Sequence, residues 1–537
     1  MTYSVFKDKY LWIILIAALI IRLYACMTTY VISNDSIQYI EQAKNFVEGR
    51  FSRIDYSQIL SVESSYHPLY PLLIAVLFKC INNYEISAMA ISTIMGVSLV
   101  AVIYVIGKRI FDSRIAFFCA ILLSFHPYTS RLSAEILSDS TYFLFFTLAI
   151  GLGYLAVNNY KTLCFVGAGL SSGFAYLTRP EGLGVLVIVG FFTVFWNLSG
   201  LKASLPRRLC CFGVMLLAFS FLASPYIIYM KKQTGYWTLT KKKNLPELLG
   251  FGNITKKSAL DNEVIEEARR DTINNETLRV EPSRKAWNPG YKKHFKILYF
   301  MITKFVSTYH PLLFLFLIIG LIRNKKVPRL GKPGVYLGFV LAFYLFILYM
   351  LVLVFSSGGS TYLSRRHLMP LVIPAMFCSA IGLHVLCNWA ERRFDFTLTK
   401  NKWYLDAKII VPIIVISVLL TKTLKYHRVE RVGLKEAAYW IKENTQETNP
   451  VVMGRSPRMA YYVGGKHIYL ASGSYKEIIA YARSTGVNYL GVYKEKIERI
   501  CPDFFKSINN EDLELVYQHT YKNRLEELNL LLYKILY

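Results

Sequence analysis

Runs of about 18 or more apolar residues recur along this chain, and their recurrence limits the fold more than any other feature. Each run can cross roughly 30 Å of hydrocarbon as a helix, because a helix pairs its backbone polar groups internally where no water is present. Hydrophobic residues make up 54% of the 537. That is only a little above the roughly 45–50% of soluble domains, so the distribution decides, not the mean. Tyr and Trp gather at the ends of the runs, as in interfacial belts. The net charge of +27 would suggest nucleic acid on a soluble protein. On this one, Lys and Arg mark cytoplasmic loops and meet anionic lipid headgroups, and no nucleic acid partner is expected. The nine Cys lie mostly inside apolar segments and read as small buried hydrophobes, not as a disulfide frame or zinc site. No small-residue cleavage site follows the first apolar run, so residues 1–28 read as an uncleaved helix and not as a signal peptide.

The spans read as 10–28, 86–107, 115–130, 140–157, 163–177, 183–198, 209–230, 296–322, 335–355, 367–388 and 407–423, about eleven in all. Lys7 and Lys9 precede the first, which puts the N-terminus in the cytoplasm and Asp35 outside. The run 69–81 is too short to span comfortably and reads as an interfacial or re-entrant helix within a first external loop, 29–85. Arg131 to Asp139 reads as a short external turn, and 231–295 as a second large external loop. A membrane module of 1–424 is thus followed by an extracytoplasmic soluble domain, 425–537. There, an amphipathic helix over 429–444, strands at 451–453 and 467–470, a helix at 475–484 and a strand at 487–493 predict a small α/β fold. The expected class is a polytopic α-helical membrane protein with an appended α/β domain.

Polar residues from separate stretches collect on the predicted outer face: Asp35, Tyr39, Asp55, Glu63 and His67, then Arg131, Glu135 and Asp139, then Arg179 and Glu181, then Arg365, Arg366 and His367. Near a membrane such groups are costly unless paired or solvated, and the cytoplasmic loops are short and simply basic. Asp35 is the first acidic residue after the first span. A carboxylate there can take a proton from an acceptor hydroxyl or amine. A lipid phosphate is already a good leaving group and needs cations to hold its charge, for which Arg131, Arg365, Arg366 and His67 are candidates. His67 with Glu63, or the carboxylates Asp35, Glu135 and Asp139, leave a divalent metal open, but no ligand spacing supports one and none is required. No phosphate-binding loop or dinucleotide fingerprint is present, so a cytoplasmic nucleotide-sugar donor is not expected.

Four places in the chain resemble the polytopic GT-C glycosyltransferases of the protein mannosyltransferase and aminoarabinose-transferase-like group. They are Asp35 with Tyr39 after the first helix, Tyr66-His67-Pro68-Leu69-Tyr70-Pro71-Leu72, Leu177-Thr178-Arg179-Pro180-Glu181-Gly182, and Arg365-Arg366-His367-Leu368-Met369-Pro370. Leu69 stands where a second Pro is common, His67 where some members have Lys, and His367 where Tyr is usual. The resemblance implies a GT-C fold and inverting transfer of a sugar from a polyprenyl-phosphate donor to an extracytoplasmic acceptor, in a multi-pass protein of a bacterial inner membrane. It implies Asp35 as base, His67 near the donor phosphate, and Glu135 and Asp139 as a helix-end acidic element. The rival readings are a transporter or flippase of lipid-linked glycans and a non-catalytic assembly protein. A transporter would carry ionisable groups deep in its spans, whereas the spans here are nearly free of charge at their centres.

Overall fold

The computed structural model describes residues 8–49, 66–196, 203–235, 237–240, 291–323, 331–355, 363–393, 397–398, 403–404, 407–471, 473–522 and 527–537. Two compact units emerge. One draws on the described residues of Met1–Thr28, Ser65–Lys242 and Arg284–Lys425, the other on those of Thr29–Ser64, Lys243–Ser283 and Tyr426–Tyr537.

The first unit is helical. Its helices are α1 (Lys9–Met27), α3 (Leu69–Ile81), α4 (Tyr84–Ile110), α5 (Ser113–Phe125), α6 (Pro127–Ala134), α7 (Asp139–Asn159), α8 (Thr162–Tyr176), α9 (Gly184–Val194), α10 (Leu205–Thr234), α11 (Tyr291–Tyr309), α12 (Pro311–Arg323), α13 (Gly331–Phe355), α14 (Arg365–Arg393) and α15 (Ala407–Thr423); α2 belongs to the other unit. A two-residue ladder, β1 (Thr397–Leu398) with β2 (Trp403–Tyr404), precedes α15. Among the described residues, six helices are long and apolar enough to cross a membrane, or eight if each of two bent pairs is one span. Every predicted span holds helix among its described residues, but α8, α9 and α15 have only 15, 11 and 17 residues, so length alone does not count eleven crossings.

Two predicted segments differ in shape. The expected span 296–322 bends by 102° between α11 and α12. His310, between them, has a φ of 75°, and the following Pro311 has no N–H with which to continue the helix. The expected turn 131–139 begins as helix. Pro127 opens α6, and the His126 ring accepts the Thr129 N–H at 3.3 Å as an N-cap. Helix α6 therefore carries Arg131, at 59° to α5.

Helices α7 and α14 are mostly buried, while α1, α10 and α13 turn much of their surface outward, as lipid-facing helices do. Lipid offers no hydrophobic drive between spans, so close backbone approach and interhelical hydrogen bonds decide the packing. At the α12–α14 crossing, a Cβ on Gly320 would meet the Cys378 carbonyl, and one on Gly382 the Phe316 carbonyl. Nearby, Tyr309 and Ser379 share a hydroxyl bond of 2.7 Å, and Ser379 donates to Leu313 O at 2.9 Å. A backbone carbonyl cannot swing aside as a side chain can. Gly382→Val should therefore cost at least the upper end of the ~1–3 kcal/mol usual for overpacking. Thermal unfolding of the detergent-purified protein checks this, with Gly338→Val as the control because a Cβ at Gly338 meets nothing.

The second unit is the predicted α/β domain with additions. Its sheet has the order β4-β3-β5-β7-β6, formed by β3 (Val451–Gly454), β4 (Lys466–Tyr469), β5 (Tyr489–Tyr493), β6 (Leu513–Lys522) and β7 (Glu527–Ile535). Strands β3, β4 and β5 are parallel, and β7 runs antiparallel to β5 and to β6. The helices are α16 (Val432–Asn444), α17 (Arg458–Val463), α18 (Tyr475–Ser484) and α19 (Lys494–Ile497). Met453, Ile478, Leu490, Phe504, Leu531 and Tyr533 share its core. The hairpin β6–β7, absent from the sequence reading, supplies two of the five strands.

The same unit includes 29–49, predicted as polar loop. Part of it is helix α2 (Asn34–Val47). The chain ahead of α2 is pinned to the C-terminal residues: the Tyr30 N–H donates to His427 O at 3.3 Å, Arg428 Nη1 to Val31 O at 3.1 Å, and Arg458 Nε to Ile32 O at 2.7 Å. The Ile32 N–H in turn donates to the Tyr462 hydroxyl at 3.0 Å.

Candidate functional site

Ser33 caps α2. Its hydroxyl accepts the Ser36 N–H at 3.1 Å, and the Ser36 hydroxyl accepts the Ser33 N–H at 3.1 Å. This reciprocal cap sets Asp35 in the first helical turn, where the positive end of the helix dipole favours a carboxylate. Asp35 is half-buried. Tyr39, one turn on and on the same face, is buried. Both lie in the unit that holds the C-terminal residues. Glu63 and Asp55 lie outside the described residues, as does most of the expected loop 231–295.

The other predicted site residues belong to the helical unit, and three of the motif stretches meet there. His67 is buried between the rings of Tyr176 and Tyr226, 5.2 and 5.1 Å away. Two residues on, the Leu69 N–H donates to Leu177 O at 2.9 Å, tying the His67 stretch to the 177–182 corner. At that corner Arg179 is extended and caps a 3-10 turn, Pro180–Leu183. Gly182 is required there, because a Cβ would strike the Tyr176 amide nitrogen. The Arg179 guanidinium lies 3.2 Å from the Asp139 carboxylate, both nearly inaccessible, and 5.6 Å from the centre of the Tyr142 ring. Asp139 begins α7, so the helix dipole supports its charge as well. One turn before, Arg131 Nε donates to Glu135 Oε1 at 2.7 Å, with Glu135 buried and Arg131 a third exposed.

The third stretch arrives with α14. Arg365 is exposed, Arg366 half-buried, and the Arg365 guanidinium sits 5.0 Å from the ring centre of Tyr128 on α6. His367 lines a cavity of about 30 Å³ with Tyr142, Arg179, Glu181 and Tyr344. That space suits a water or two and not a sugar. The Tyr344 hydroxyl donates to Glu181 O at 3.0 Å, which fastens α13 to the corner. Tyr344 was not among the predicted residues; α13 carries three Tyr, at 336, 344 and 349, and nothing in the sequence marks the middle one out. Arg22 was also missed. It is fully buried in α1, where its Nη1 donates to Ala18 O at 3.0 Å and its Nε packs where a Cβ on Gly96 would be. A charge did therefore lie within a span, near its C-terminal end. Among the described residues, no group of three or more His, Cys, Asp or Glu side chains could hold a metal ion.

Residues 65–229, which hold the His67 stretch, the acidic start of α7 and the corner, match the family model of dolichyl-phosphate-mannose-protein mannosyltransferases. No curated protein matches the chain by sequence. ArnT from Cupriavidus metallidurans, solved with undecaprenyl phosphate, is similar in structure at 12% identity, with a TM-score of 0.55 over 98% of this chain and 98% of that one. The Archaeoglobus fulgidus oligosaccharyltransferase, solved with a tethered acceptor peptide, is similar at 14% identity, with a TM-score of 0.53 over 91% of this chain and 70% of that one. Identities this low speak to fold, and both comparisons span most of the chain. The protein is thus a multi-pass membrane protein of the GT-C fold, matched over residues 65–229 to the dolichyl-phosphate-mannose-protein mannosyltransferase family.

Proposed function

We propose that this protein is a glycosyltransferase that moves a sugar from a polyprenyl-phosphate carrier to an extracytoplasmic acceptor, with inversion at the anomeric carbon. The observation that carries the reading is the mannosyltransferase family match across residues 65–229, which hold His67, Glu135, Asp139 and Arg179. The similarity to a structure holding undecaprenyl phosphate supports the donor class. In the proposed step, Asp35 takes the proton of the acceptor hydroxyl as its oxygen attacks the anomeric carbon on the face opposite the carrier. The bond from that carbon to the phosphate oxygen breaks, and polyprenyl phosphate leaves with the electron pair. Arg365, Arg366 and His67 are the groups assigned to its charge. Arg131 and Arg179 are less suited, since each already faces a buried carboxylate, Glu135 and Asp139. Their pairs are read as holding α6, α7 and the corner in place.

The test uses membranes containing the protein and two radiolabelled donors, a polyprenyl-phosphate sugar and the matching nucleotide sugar. The expected result is label transferred to acceptor from the lipid donor alone, with the product of opposite anomeric configuration. Transfer only from the nucleotide sugar would sink the reading. So would lipid donor that crosses a sealed vesicle bilayer without losing its sugar, which is the flippase outcome.

A further inference from the structure

The second unit holds a cavity of about 360 Å³, within the range of small-molecule sites. It opens where β3 and β5 end. Its wall is built from Val452–Arg455 and Ser456 at the end of β3, Gly491–Tyr493 of β5 and Leu470 just past β4. In open parallel sheets, ligands bind at the carboxyl ends of the strands. We propose that this cavity binds a phosphate monoester carried on a sugar-sized group.

The charge of the lining selects an anion. Arg431, Arg455, Arg458 and Lys496 all face the cavity, and none of its lining residues is acidic. Glu430 offsets Arg431 only weakly, at 3.9 Å from its Nε. The cations also crowd one another. Burial pushes the Arg458 guanidinium down to about 10, and Arg428 and Arg431 push it the same way. It stays charged at neutral pH, and a bound anion would relieve both costs. The bond from Arg458 Nε to Ile32 O fixes the plane of its fork, the geometry that suits a phosphate. Arg431 and Lys496 lie 5.2 and 4.8 Å from the centre of the Tyr493 ring, which steadies both beside the opening. Leu434, Met453, Met459, Leu470 and Ile497 add an apolar part to the lining. Bare phosphate would leave that apolar lining wet, whereas the carbon face of a sugar would cover it. A second polar contact point is the Ser456 hydroxyl, which donates to Asn34 Oδ1 at 2.9 Å with both residues in the lining.

The probes are glucose 6-phosphate and inorganic phosphate as free ligands and dioctanoyl phosphatidic acid as a lipid-borne monoester. Each is titrated by calorimetry into the full-length protein in detergent. Arg455→Gln/Lys496→Gln is the test variant, since neither residue makes the bond that anchors Ile32. Lys442→Gln, exposed on α16, is the charge control. We expect saturable binding of glucose 6-phosphate, competed by inorganic phosphate, weakened at least tenfold in the double variant, unchanged in the control and falling with added salt. Variant-sensitive binding of phosphatidic acid alone supports the same site with a lipid as the source of the phosphate. Absence of saturable binding by any probe, or equal binding by the wild type and a double variant of unchanged melting temperature, overturns the proposal.

Discussion

Asp35→Asn should lower sugar transfer by about 10²–10⁴-fold, the span typical of a lost acid–base group, while the amount of folded protein stays at the wild-type level. The substitution keeps the size of the side chain and removes its charge and its ability to accept a proton. Asn is tolerated in the first turn of a helix, and the cap of α2 rests on Ser33 and Ser36, so the helix should persist. Asp35→Glu should retain part of the activity, because the proton acceptor remains and is displaced by one methylene. The measurement is radiolabel transfer from a polyprenyl-phosphate sugar, normalised to protein recovered as a single peak in detergent. Wild-type transfer by Asp35→Asn at normal protein level would remove Asp35 as the base and leave the rest of the reading standing.

Arg179→Ala should destabilise the helical unit by roughly 3–5 kcal/mol, the usual cost of stranding one partner of a buried ion pair. The stranded group would be the Asp139 carboxylate, about 1% exposed in the present structure. Asp139→Ala should cost less. Arg179 would keep Glu181 beside it in the small cavity and the Tyr142 ring face. The double variant should cost clearly less than the sum of the two, since it leaves neither charge behind. Unfolding curves of the four proteins in one detergent read out this coupling. Additive costs would show that the two groups are held by other partners and that the pair does not join α7 to the corner.

The helices of this fold are legible in the sequence because each is written locally. An apolar run of sufficient length has no other way to satisfy its backbone in lipid. Their breaks are local too: the bend at His310 follows from Pro311, and the start of α6 from Pro127 and a capping His126. Both breaks lie inside stretches read as single spans, 115–130 and 296–322. The hairpin β6–β7 was missed for another reason. Its outer strand β6 alternates buried and exposed positions only irregularly, with a register shift between Leu515 and Tyr517. Arg22 was overlooked because a single cation barely lowers the mean hydropathy of α1. Its burial against Gly96 depends on a helix far along the chain.

The candidate site divides in the same way. Sequence alone determined that the protein is polytopic and that an α/β domain follows the membrane segments, and it singled out Asp35, His67, the 177–182 corner and the Arg365 stretch as candidates. These are properties of composition and order. Tertiary structure decided the partners: Arg179 with Asp139, the Leu69 N–H with Leu177, and Arg365 over Tyr128. It also decided that the segment leading into Asp35 is bonded to residues some 400 positions away, such as Arg428 and Arg458. Ion pairs, interstrand bonds and close backbone approach act between groups distant in sequence. Which of many cations meets which carboxylate therefore follows from packing.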